Sequence, residues 1–151
     1  RIIDKLNENR IPCTVLTKGI FPNELSRRNG LSKNNEYGIT LVSLSEKFRK
    51  DYEPNSARFG DRINSLKYLH QKGFKTWVSI EPYPTPNIIK QNLPEILKTV
   101  SFVDKIIFGR LNYNVKVSEF KYTKEFYNSQ SEIVAGFCKK NKIRHHIKTG
   151  T

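Results

Sequence analysis

Short apolar runs alternate along the chain with segments whose apolar residues recur every three or four positions, the pattern that strands and helices leave when they follow one another. Ile2, Ile3 and Leu6 sit at helical spacing ahead of Pro12, and Cys13-Thr14-Val15-Leu16 then reads as a short strand. Tyr37–Ser43 is rich in β-branched and aromatic residues and predicts a second strand. Phe59–Lys72 carries Ile63, Leu66 and Leu69 at intervals of three and closes on Gly73, which predicts a helix with a glycine cap. Thr76–Ile80 predicts the third strand, Pro94–Thr99 a short helix and Lys105–Phe108 the fourth strand. Phe126–Lys142 gives the longest helix, with Ile133, Val134 and Phe137 on one face, before a last strand around His145–Lys148.

The strands start roughly 25 to 40 residues apart and show no simple in-and-out alternation, as expected of parallel strands joined by helical crossovers. The fold class is therefore α/β, either an open doubly wound sheet or a (β/α) barrel. No Gly-rich phosphate fingerprint follows any strand, which weighs against a nucleotide-binding open sheet. In both architectures functional groups collect where strands end, so those ends are the places to look.

Composition narrows the setting. With 151 residues and 36% hydrophobic content the chain can build one domain, over 1–151, with its own core. Lys and Arg outnumber Asp and Glu by 27 to 14, a formal charge of +13, which makes polyanions, nucleic acid among them, candidate partners. The excess is spread evenly, with 15 basic against 8 acidic residues up to Lys75 and 12 against 6 after it. No apolar run approaches a membrane span and no signal-type segment opens the chain, so no membrane contact and a cytoplasmic location are expected. Cys13 and Cys138 read as core thiols of a reducing compartment. The complete lack of Met leads us to expect a piece of a longer protein.

The strand ends are polar. Lys18, directly after an apolar strand and before Gly19, suits a carboxylate or phosphate, or is an exposed loop lysine. Ser43 and Ser45 can hold a ribose or a carboxylate, or cap the helix starting near Glu46. Glu81 ends an apolar strand and is followed by Pro82 and Pro84; it suits a ligand hydroxyl or amine, or an ion pair with Arg62 or Lys18. Asn112, between Leu111 and Tyr113, suits a flat base or a turn. Trp77 is expected in the helix-facing core. His145 and His146 are adjacent, so on a strand they point to opposite faces and cannot chelate one metal together.

In order, TKG, ITLVSLSE and YEPNSARFGDRINSLKYLHQKGFKTWVSIEPYPTPN resemble the carboxyl-terminal part of radical S-adenosylmethionine proteins of the DNA repair photolyase (spore photoproduct lyase-like) group. The most specific pieces are Glu53-Pro54, then Arg62-Ile63, Leu66, Leu69, Gly73 and Ser79-Ile80-Glu81-Pro82. The resemblance implies a partial (β/α) barrel and the cofactors S-adenosylmethionine and [4Fe–4S], the cluster cleaving S-adenosylmethionine to a 5′-deoxyadenosyl radical that abstracts a substrate hydrogen. It puts Thr17, Lys18, Ser43, Ser45, Arg62, Ser79, Glu81 and Asn112 around the S-adenosylmethionine cavity. The serines would face ribose or carboxylate, Arg62 or Lys18 the carboxylate, and Asn112 the adenine. The three-cysteine cluster loop of the group is absent, so the chain by itself is expected to be inactive, with no catalytic or metal-binding residue assigned.

By that resemblance the five strands are the third strand of the barrel onward. Lys18, Ser43, Glu81 and Asn112 should line one rim in strand order with Trp77 behind it. The strand ending at Lys18 should present an unpaired edge that pairs with another chain or is covered by the amino-terminal helix. The alternative reading is a non-catalytic, basic α/β domain that binds nucleic acid.

Overall fold

The computed structural model describes residues 1–28 and 30–150. Five strands, β1 (Thr14–Thr17), β2 (Glu36–Thr40), β3 (Lys75–Tyr83), β4 (Lys105–Arg110) and β5 (Arg144–Ile147), form one sheet in the order β1-β2-β3-β4-β5. Every neighbouring pair is parallel. Six α-helices accompany them: α1 (Ile2–Glu8), α2 (Glu46–Tyr52), α3 (Phe59–Gln71), α4 (Leu93–Thr99), α5 (Val115–Ser118) and α6 (Thr123–Asn141). A 3₁₀ turn covers Asn23–Arg27.

A parallel sheet whose spatial order follows its sequence order needs every crossover to step the same way. Right-handed crossovers then put the helices on one face and leave the other face as a trough, which is a barrel interior and not a doubly wound sheet. The chain is thus a partial (β/α) barrel.

Alternation along each strand sorts the side chains. Tyr37, Ile39, Val78, Ile80, Ile106 and Phe108 join Leu66 and Leu69 of α3, Ile96 and Leu97 of α4 and Val134 and Cys138 of α6 in one buried core. Helix boundaries follow local chemistry. The Ser45 hydroxyl accepts from Phe48 N and starts α2, and Asn92 caps α4 ahead of Pro94. Gly73, at φ +80, ends α3 as the sequence suggests. α2 begins at Glu46 under its Ser45 cap, as the capping alternative for that serine supposes, whereas the short α5 and the 3₁₀ turn carry too little periodicity to be read in advance.

Two expectations need correcting. Trp77 is not helix-facing: it alternates with Val78 and lies on the trough face, its indole flat over Gly38, where an added Cβ would collide with the ring. Glu81 does not leave the sheet at a proline-stiffened loop. After a register shift beyond Ile80, β3 continues through the cis Glu81–Pro82 bond and pairs again at Tyr83 with Arg110.

β1 forms one edge of the sheet and β5 the other. None of the α1 residues is buried.

Candidate functional site

Because all strands run the same way, their carboxyl ends share one rim. Lys18 directly follows β1, Ser43 follows β2, Glu81 lies near the end of β3 and Asn112 follows β4. The trough below that rim is built in rows set by the strand register. Leu16, Gly38, Trp77, Lys105 and Arg144 make one row, and Thr40, Ser79, Ile107 and His146 the next. Above them Glu81 lies beside Gly109, where an added Cβ would fall 2.8 Å from the Glu81 carboxyl group.

Three charge constellations organise these groups. In the trough, Lys148 Nζ lies 2.8 Å from Glu81 Oε2, with the lysine half-exposed. The sequence alternatives for Glu81, Arg62 and Lys18, serve instead a different carboxylate. Glu53 receives Arg62 Nη2 at 2.8 Å and Lys18 Nζ at 2.9 Å. Arg62 is buried, and it also donates to Ala57 O, Thr40 O and the Ser56 hydroxyl. These bonds clamp the loop between α2 and α3 to the end of β2, and Ala57 N donates to Lys18 O to include β1. At the amino-terminal mouth of the trough, Glu36 pairs with Lys105 and, at 3.5 Å, with Arg144. Hydrogen bonding from Lys105 holds the Glu36 carboxyl below its ordinary range, and the same ammonium sits 5.2 Å from the Trp77 ring centre.

The residues singled out from the sequence divide by the face they occupy. Ser79 and Glu81 both face the trough, Ser79 almost fully buried. Ser43 and Ser45 line a hollow of about 260 Å³ with Ile89, Gln91 and Asn92. Ser43 Oγ accepts from Ser45 N while Ser45 caps α2, so both serines serve the turn. Asn112 accepts from Arg110 Nε at 2.6 Å and lines a polar hollow of about 330 Å³ with Tyr113 and Asn114. Thr17 faces the helices, where its hydroxyl accepts from Gly19 N.

Tyr127 fixes the β4 end of this rim. Its hydroxyl donates to Tyr83 O at 2.7 Å and accepts from Leu111 N at 3.1 Å, tying the last residue of β3 to the segment that carries Asn112. Burial pushes the Tyr127 phenol up, and that of Tyr83 up to about 12.

The sequence reading did not assign Lys148, Gly109 or Glu53 to the site. For Lys148 a signal was present: Arg144, His146 and Lys148 alternate along a strand pattern and so share a face.

The thiols do not fit an iron–sulfur cluster. Cys13 precedes β1, its N and Sγ both donating to Asn35 Oδ1, whereas Cys138 is buried in α6 with its thiol pushed up to about 11. Among the described residues no three His, Cys, Asp or Glu side chains gather as a metal site. Nor, among them, is any helix long and apolar enough to cross a membrane.

No protein-family model matches the chain. No curated protein matches it either. Solved structures do. Streptococcus suis SuiB bound to S-adenosylmethionine superposes with a TM-score of 0.64 at 17% identity, covering 95% of this chain and 33% of that one. SuiB without that ligand gives 0.62 at 17%, covering 95% and 34%; SuiB bound to precursor peptide SuiA gives 0.61 at 16%, covering 95% and 33%. The likeness is one of fold, and the chain spans about a third of the length of these structures.

Proposed function

We propose that this chain is the carboxyl-terminal portion of a radical S-adenosylmethionine barrel and supplies the rim and trough that hold S-adenosylmethionine. The observation that carries the reading is the placement of Ser79, Glu81 and Lys148 on the open face of a sequentially ordered parallel sheet. The shared fold with SuiB, a protein solved with S-adenosylmethionine, supports it.

The donor set suits that ligand. Its methionyl end carries an ammonium and a carboxylate, which complement Glu81 and Lys148 respectively; its ribose hydroxyls suit the Ser79 and Thr40 hydroxyls nearby. The cluster has no such complement, because the two thiols lie in separate parts of the fold. We therefore derive no step through it; in the longer protein its ligands would come from residues outside this chain. The photolyase-like reaction, hydrogen abstraction by a 5′-deoxyadenosyl radical, is part of the proposal for that longer protein. No feature of the trough favours the alternative of a dedicated nucleic-acid-binding domain.

Calorimetric titration of the 151-residue chain with S-adenosylmethionine tests the reading. Saturable binding is expected below about 1 mM, where about 4 kcal/mol suffices for half-occupancy. Glu81→Gln should weaken it at least tenfold, and a surface control, Lys139→Gln, should leave it unchanged. Absence of saturation, or indifference to Glu81→Gln, would remove the proposal.

A further inference from the structure

The two edges of the sheet differ in chemistry. β1 reads Thr-Val-Leu-Thr and carries no charge, whereas β5 reads Arg-His-His-Ile and runs on into Lys148. Arg144, His146 and Lys148 all face the trough: Arg144 reaches Glu36, Lys148 reaches Glu81, and His146 lies between them in register with Ile107. At about 3.3 Å per residue the three positions stand about 6.6 Å apart and span about 13 Å, with a basic side chain, Arg144 or Lys148, at each end. Arg144 is 63% and Lys148 50% exposed, so neither is used up by its acidic neighbour.

The backbone of β5 is half engaged. Arg144 N and Lys148 N donate to Asp104 O and Phe108 O of β4. His145 and Ile147 therefore turn their N–H and C=O groups to the outer edge, where no strand among the described residues pairs with them. Such an edge is a pairing template. A second copy of β5 would set like charges opposite one another, which disfavours self-pairing. A strand with acidic side chains at alternate positions would do the reverse, meeting Arg144 and Lys148 with opposite charge and the His146 ring with a hydrogen-bond acceptor while its main chain pairs with His145 and Ile147.

We infer that β5 is a docking edge for an extended acidic peptide, added as a sixth strand. The net charge of +13 steers such a partner toward the protein. Main-chain pairing distinguishes it from a nucleic acid, which would use the cations alone. The inference does not depend on S-adenosylmethionine binding.

The test uses the full chain and a fluorescent eight-residue peptide of alternating glutamate and valine, read by anisotropy at low salt. The expected result is saturable binding, weakened at least tenfold when the peptide amides that face β5 are N-methylated. Lys148→Gln and His145→Pro should each weaken it at least tenfold. Proline at 145 removes only an outward N–H and leaves the β4 ladder intact. Amide exchange at His145 and Ile147 should slow when peptide is added. Equal binding of the N-methylated peptide overturns the inference, as does tighter binding of a single-stranded oligonucleotide of equal charge, or no binding at all. If His145→Pro fails to fold, the N-methylated peptide still decides with the unaltered protein.

Discussion

Glu81 and Lys148 meet at 2.8 Å across the trough because Gly109, on the strand between them, has no side chain. A methyl group at that position would fall 2.8 Å from the Glu81 carboxyl, so the ion pair depends on a missing atom on β4. Gly109→Ala should push the Glu81 carboxyl aside and break its pair with Lys148 at a cost below about 1 kcal/mol, because the atoms in the way are the flexible end of a partly exposed side chain. Urea unfolding of the two proteins side by side measures it; a loss of several kcal/mol would mean that Glu81 cannot move aside.

Gly38 plays the same part for Trp77. The indole lies directly over its Cα, so Gly38→Ala must push the ring off the sheet. Trp77 is the one tryptophan of the chain, and its fluorescence reports this directly. A red-shifted emission and a loss of about 1–3 kcal/mol are expected. Emission identical to that of the unaltered protein would place the indole elsewhere.

The buried Arg62–Glu53 pair is a structural clamp. Arg62→Ala leaves Glu53 buried with only the half-exposed Lys18 as a charge partner. Removing one member of such a pair typically costs about 3–5 kcal/mol. Thermal unfolding should put Arg62→Ala far below Lys18→Ala, because the Lys18 side chain is 44% exposed. Equal effects of the two would contradict the clamp.

Alkaline stability follows from Tyr83 and Tyr127. Burial raises both phenols, Tyr83 to about 12, so the folded state keeps its protons where the unfolded chain has begun to lose them. The corresponding stability is complete below pH 10 and is lost between about pH 10 and 12 as pH rises. Tyr83→Phe should flatten that alkaline limb. Tyr127→Phe should flatten it too, but at a cost near neutrality of about 1–3 kcal/mol, because Tyr83 O and Leu111 N lose their shared hydroxyl. Denaturation followed from pH 8 to 12 separates the two.

Much of the framework was legible because it rests on local patterns. The spacing of Ile63, Leu66 and Leu69 with Gly73 marks α3, and the β-branched runs mark the strands. The direction of the sheet follows from the crossover lengths, which brings Lys18, Ser43, Glu81 and Asn112 to one rim. Pairings that depend on long-range register were not legible. Nothing near Glu81 in sequence indicates that Lys148 is its partner, or that Arg62 and Lys18 converge on Glu53. Trp77 misled because an indole in an apolar strand suits either face, and the choice rests on Gly38 of the neighbouring strand.

The most direct measurement is amide chemical-shift mapping of the chain during titration with S-adenosylmethionine. Saturable shifts are expected at Ser79, Glu81, Lys148 and Asn112, at the carboxyl ends of the strands, with Glu36, His70 and Asp104, at their amino-terminal ends, unmoved. Shifts confined to those amino-terminal ends, or none that saturate, would contradict the proposed site.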